Sequence, residues 1–177
     1  MPVTTVDVPT DLMEYMDNLV AQGLARNRRE IIVRALANYK KLRMYEWESE
    51  LIRFYGFRAG ILTQKSYQGL IAELNDRQLM EAGKRMGHTL KDLCLANFGA
   101  RTENPENWKL AFQIFQDMGT GGISQDDDRI TISKPYHPTV LLNGYLDTVL
   151  GTKLTAVKTV EDVAIFEINR AKERDKK

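Results

Sequence analysis

The most constraining feature of this chain is a β-prone stretch that has nothing nearby to pair with. Residues 3 to 8 read Val-Thr-Thr-Val-Asp-Val, and Pro9 stops the run. Alternation sets Thr4, Val6 and Val8 on one face and Val3, Thr5 and Asp7 on the other. Helical spacing follows at once. Thr10 and Asp11 offer a cap and a first-turn charge, and Leu12, Met16, Leu19 and Val20 form one apolar stripe ending at Gly23. A second helix is expected from Asn27, with Glu30 placed to reach back to the cap's amide and Ile31, Ile32, Ala35, Leu36 and Tyr39 on its apolar face. A strand and two helices within about 40 residues bury too little to stand alone. The strand's amides also need partners that this segment lacks. Two copies pairing their strands, with four helices beneath, answer both needs, so a homodimer is expected, with tetramers left open.

The residues Val6-Asp-Val-Pro-Thr-Asp-Leu12, Met16-Asp-Asn-Leu-Val20 and Gly23-Leu-Ala-Arg-Asn-Arg-Arg-Glu-Ile-Ile-Val-Arg-Ala-Leu36 resemble the ribbon-helix-helix family of CopG, Arc and MetJ. In that family the paired strands lie in the DNA major groove. The resemblance implies Val3, Thr5 and Asp7 as the base-reading face. It implies a phosphate clamp at Asn27, Arg28 and Arg29, where free amides, the helix dipole and guanidinium groups converge. Arg26 is an additional backbone contact. Charge agrees locally: net charge is only +1, yet Arg26, Arg28, Arg29, Arg34, Lys40, Lys41 and Arg43 face a single acid, Glu30, between residues 26 and 43. The reading strand departs from the family in carrying no basic or long polar side chain. Asp7 repels phosphate and accepts usefully only from a base such as cytosine.

Beyond Tyr39, the residues Leu42, Tyr45, Trp47, Leu51, Phe54 and Tyr55 keep three- and four-residue steps with no proline or glycine before Gly56. A connector helix over 46–56 is therefore expected, either continuous with the second helix or broken near 40–43. If continuous, it would be about 40 Å long and a candidate for coupling the two halves.

From residue 57 to 170 the pattern predicts a second, α+β domain with an antiparallel sheet. Helices are expected near 64–75, 77–97 with Asp76 as cap, Asn104 to Met118 with Pro105 in the first turn, and 138–150 stopping at Gly151. A hairpin is expected around Asp126-Asp127-Asp128, followed by strands near 153–158 and 163–169. Glu81-Ala-Gly-Lys-Arg-Met-Gly87, Gly119-Thr-Gly-Gly122 and Asn143-Gly-Tyr-Leu-Asp-Thr-Val-Leu-Gly151 resemble the vinyl-reductase-type small-molecule-binding domain, related to the haem nitric-oxide-binding fold. The resemblance implies a ligand sensor. The cysteines common near that family's last strands are missing from 157–163, so an apolar or aromatic ligand is expected rather than a metal or thiol version. No ligand-binding residue is assigned. Residues 171–177 form a basic tail.

Other chemistry finds little footing. His88 and His137 are the only histidines and lack an acidic cluster, so each is read as structural or superficial, and no metal or cofactor is expected. Cys94, the single cysteine, excludes an internal disulfide and reads as buried filler. The three aspartates lack a calcium-loop pattern and read as a polar hairpin tip. No Ser-His-Asp signature, phosphate-cradling loop or zinc-protease helix occurs, and no enzyme is expected. No apolar run approaches a membrane span and no leader pattern precedes it, so a cytoplasmic chain without membrane contact is expected. The expected function is a dimeric transcriptional regulator on double-stranded DNA. A dimerisation or interaction protein without DNA, such as an antitoxin-like or assembly factor, is the alternative, and a haem or gas sensor a third.

Overall fold

The computed structural model describes residues 5–49, 51–160 and 162–169. The chain divides after Gly60 into two compact units. The protein is α+β, with six α-helices and two antiparallel sheets among the described residues.

In the first unit, residues 5–9 form no ladder among the described residues. Helix α1 spans Thr10–Ala21 and buries Met16. Pro9, not Thr10, occupies the cap position, and no side chain caps the helix there. At the other end Gly23 takes φ +72°. Its amide bonds the Val20 carbonyl and the Leu24 amide bonds that of Leu19, each at 3.0 Å, so the orphan carbonyls of the last turn are satisfied. Helix α2 spans Arg28–Lys41. Asn27 caps it, its side chain accepting from the Glu30 amide at 2.9 Å. The Glu30 carboxylate accepts from the Arg26 amide at 2.8 Å rather than from Asn27, so the expected reciprocal cap is displaced by one residue.

The expected connector helix over 46–56 is not formed. After α2 the chain makes a single 3₁₀ turn, Met44–Glu46, and then a hairpin of β1, Ile52–Phe54, and β2, Phe57–Ala59. Two backbone events replace the helix. Arg43 enters the left-handed region at φ +49°, and the hairpin turns through Tyr55 and Gly56 at φ +51° and +80°. Two successive positive φ values suit the right-handed twist of a two-residue hairpin loop. Side chains hold the bend at Arg43. Its guanidinium lies 5.0 Å from the centre of the Tyr55 ring and 5.9 Å from that of Tyr45, and 3.3 Å from the Glu46 carboxylate. That carboxylate also accepts from the Gly56 amide at 2.9 Å. The apolar periodicity of 42–55 therefore serves an aromatic cluster around a turn, and residues 57–60 belong with the first unit.

In the second unit α3, Gln64–Ile71, is capped by Thr63 and stops four residues short of its expected end. Helix α4, Asp76–Phe98, is capped by Asn75, which with Gln78 forms a reciprocal pair of 3.0 Å bonds, so Asp76 is the first helical residue and not the cap. It ends at Gly99 with φ +63°. Asn104 caps nothing with its side chain; a 3₁₀ turn at Pro105–Asn107 precedes α5, Trp108–Asp117. Strands β3, Gly122–Asp126, and β4, Arg129–Ser133, form the expected hairpin, with Asp127 at φ +48° at its tip. Helix α6 spans Thr139–Leu150, and β5, Leu154–Val160, and β6, Val163–Ile168, complete the sheet. The strand order is β3-β4-β6-β5, antiparallel throughout.

The sheet's inner face carries Ile130, Ile132, Ala164 and Phe166, all fully buried, with Ile123, Leu154 and Ile168 around them. Ile130 stands opposite Phe166 and Ile132 opposite Ala164. Helix α6 is apolar nearly all round because it packs on α4 and also meets β5. The α4–α6 crossing is backbone on backbone. A Cβ added at Gly83 would stand 2.0 Å from the Leu141 carbonyl oxygen, one at Gly144 2.3 Å from that of Met80, and one at Gly87 2.7 Å from that of Tyr145. Asp147 fastens α6 to β5 by accepting from the Leu154 amide at 2.9 Å and from Lys153 at 3.0 Å. Thr102 donates to the Val149 carbonyl at 2.6 Å in the core. Cys94 is fully buried as expected, and burial pushes its thiol up to about 11. At the edges, the β5 register slips between Ala156 and Lys158, and the Ile123 carbonyl in β3 accepts from Gln116 Nε2 at 2.8 Å. Among the described residues no helix is long and apolar enough to cross a membrane.

Candidate nucleic-acid interface and ligand cleft

Helix α2 leaves its apolar side uncovered within one chain. None of its 14 residues is buried, and Ile32, Val33, Leu36 and Tyr39 are exposed. Val6, Leu12 and Tyr15 of the same unit are exposed as well, Val6 being 71% accessible.

The basic cluster at the start of α2 is more structured than charge counting implies. Arg28 is engaged: its Nε and Nη2 donate to the two oxygens of Asp17 in α1 at 2.5 and 2.6 Å. That paired hydrogen bond holds the Asp17 carboxyl below its ordinary range and raises the guanidinium further. Arg34 lies 2.6 Å from Glu30, whose carboxyl is held low by the Arg26 amide first and by Arg34 and Arg26 after it. Arg26 and Arg29 are exposed, and their guanidinium groups make no hydrogen bond or close ion pair among the described residues, Arg26 acting on Glu30 only through its charge. The first-turn amides of α2 at Arg28 and Arg29 precede the helix's own bonding and open at its positive end. Thr5 and Asp7 are exposed; Val3 lies outside the described residues, as does the basic tail. Asn27, Arg28 and Arg29 are thus together by simple adjacency, and the Asp17 tie to Arg28 was not foreseen.

The second unit holds a different kind of site. Between α3 and the segment joining β4 to α6 lies an open cleft of about 810 Å³. Tyr67 of α3 stacks on Tyr136, with ring centres 4.9 Å apart at 27°. His137 stands edge-on to both, at 5.1 and 5.2 Å. Its Nδ1 lies 2.7 Å from the Tyr67 hydroxyl. His137 is only 9% accessible, and its Nε2, shielded from solvent, has no hydrogen-bond partner among the described residues. Burial holds its pKa down to about 4 and pushes that of the Tyr67 phenol up to about 12, so both are neutral near pH 7. Lys134 and Asp162 line the same cleft and are the cation and the anion among its described residues. The Lys134 amide donates to the Asp162 carbonyl at 2.7 Å, so the two residues share a neighbourhood, yet their side chains form no ion pair.

No protein-family model, curated protein or solved structure matches this chain.

His137 is buried and hydrogen-bonded to Tyr67, and His88 is exposed on α4. The cleft itself was missed. The one sequence signal for it was the run Tyr136-His137-Pro138, which carries two polar rings into a turn. Its ring partner Tyr67 lies 70 residues away, beyond the reach of any local pattern.

Proposed function

We propose that this chain is a cytoplasmic, homodimeric DNA-binding transcriptional regulator whose second unit senses a small apolar or aromatic ligand. The observation that carries the proposal is helix α2: capped by Asn27, headed by Arg28 and Arg29, and without one buried residue in the single chain. A second copy would cover Leu36 and its neighbours and give residues 3–8 the antiparallel partner their backbone requires. The paired ribbon then enters the major groove with Val3, Thr5 and Asp7 outward, while Asn27, Arg28, Arg29 and Arg26 meet phosphate. Arg28 must exchange Asp17 for a phosphate oxygen as it does so. Both are charge-assisted bonds to oxygen, so the exchange costs far less than a new desolvation.

Ligand control requires that the ligand favour one arrangement of the two reading modules over another. With the connector helix gone, that coupling cannot run along a continuous rod. Along the chain, the Arg43 turn and the β1–β2 hairpin stand in its place.

The test is a titration of the whole chain into duplex DNA from upstream of its own gene at several salt concentrations, beside Arg28→Ala/Arg29→Ala. Salt-sensitive binding that the double variant loses is expected, with a shallower salt slope in the variant. Binding that ignores both arginines would refute the phosphate clamp. The acid on the reading face, Asp7, and the occupied Arg28 favour a second reading, a dimerisation module without DNA. A dimer indifferent to DNA at low salt would establish that one.

A further inference from the structure

The cleft between α3 and the β4–α6 segment presents three recognition elements with distinct chemistry. The first is an aromatic wall, Tyr67 stacked on Tyr136 with His137 edge-on. The second is a cation, Lys134, and the third an anion, Asp162, the charged groups among the cleft's described residues, neither held in an ion pair with the other. Lys134 also takes a left-handed backbone, φ +48°, a conformation that a lysine adopts only where the surroundings impose it. A buried imidazole with one ring nitrogen unsatisfied adds a hydrogen-bonding group in the wall that the fold does not use. The volume, about 810 Å³, is ample for a ligand of one or two rings.

We propose that this cleft binds a free aromatic α-amino acid, its ring against Tyr67 and Tyr136, its carboxylate at Lys134 and its ammonium at Asp162. Each group of such a ligand finds a complement, and none of the three recognition elements is left over. A simple aromatic acid would leave Asp162 facing like charge, and an aromatic amine would leave Lys134 so placed. An aliphatic amino acid would forgo the ring face, where stacking adds specificity beyond area. The ligand's role as an effector rests on the regulator reading above; its binding does not.

The experiment is calorimetry on the full chain with no DNA present, using L-phenylalanine, L-tyrosine and L-tryptophan. The comparison ligands are 3-phenylpropanoate, which lacks the ammonium, phenethylamine, which lacks the carboxylate, and L-leucine, which lacks the ring. We expect one site per chain for at least one aromatic amino acid, with its truncated relatives weaker by about tenfold or more, each step corresponding to one lost charged contact. Lys134→Gln should weaken the amino acid and leave phenethylamine no weaker, or tighter as the like charge is lost. Asp162→Asn should weaken the amino acid and leave 3-phenylpropanoate no weaker, or tighter, for the same reason. Both side chains are exposed, and an unaltered melting temperature checks that the variants fold. Failure of all three amino acids to bind at millimolar concentration would overturn the proposal, and so would affinity indifferent to both substitutions. A chain that binds L-phenylalanine but no DNA keeps this site and refutes the regulator reading. A chain that binds DNA but no aromatic amino acid does the reverse.

Discussion

The same substitution, glycine to alanine, should have opposite signs at two helical positions of the second unit. In α3, a Cβ at Gly69 meets nothing within 4 Å. Gly69→Ala should therefore gain only the helix-propensity difference, about 0.5–1 kcal/mol of added stability. In α4, a Cβ at Gly83 stands 2.0 Å from the backbone oxygen of Leu141, where ordinary van der Waals contact begins at 3.4 Å. The helices must part by on the order of 1 Å, which on a close-packed interface forfeits a quarter to a half of each dispersion contact it touches. Overpacking of this kind costs about 1–3 kcal/mol or somewhat more, and with a carbonyl oxygen as the obstacle we expect the upper end, roughly 2 kcal/mol net of the propensity gain. Gly144→Ala strikes the Met80 carbonyl on the same crossing at 2.3 Å and should behave alike. Once one alanine has parted the helices the second meets less resistance. The double variant should then lose less than the sum of the two, by about 1 kcal/mol, as neighbouring sites in one packed interface do. Urea titration followed by Trp108 fluorescence in a Trp47→Phe background isolates the second unit. Equal signs at Gly69 and Gly83, or strict additivity of Gly83 and Gly144, would refute the account of the crossing.

Two further outcomes follow from electrostatics. Burial lowers the native pKa of His137 to about 4, so the unfolded chain takes up that proton first, near the ordinary value of 6.5. Stability should be level above pH 6.5, fall as pH drops toward 4, and level again below it, by about 3.5 kcal/mol at most at 1.4 kcal/mol per unit of pKa difference. His137→Gln should flatten that segment; a steep segment surviving in His137→Gln assigns it elsewhere. At the proposed DNA interface, Asp17→Asn removes the carboxylate that occupies Arg28 and should strengthen binding a few-fold at low salt, as judged by fluorescence anisotropy. Weakened binding would mean instead that the pair orients the guanidinium.

How much of this was readable depends on the range of the interaction concerned. The hairpin at Asp126–Asp128, the alternating Ala164, Phe166 and Ile168 and the stop at Gly151 announce themselves because period and turn chemistry are local. The second helix's cap at Asn27 was legible for the same reason. Its end is not: Arg43 supplies a left-handed turn that glycine ordinarily signals, and the rings that stabilise it, Tyr45 and Tyr55, fall at helical spacing in the sequence. Of the candidate interface, the grouping of Asn27, Arg28 and Arg29 is plain from adjacency. The 11-residue reach from Arg28 back to Asp17 depends on how α1 and α2 meet, which no local pattern encodes. The cleft depends on contacts between residues some 70 positions apart.

The sheet of the second unit has two outer strands, and each is spoiled for company. Lengthening a sheet by one strand requires a straight row of idle amides and carbonyls. On one flank, β5 is crooked where its register slips beside Lys158. On the other, a carbonyl of β3 is already taken by Gln116. Both margins of the four described strands are therefore blunted. Chains crowded together at high concentration would find no clean margin here along which to zip.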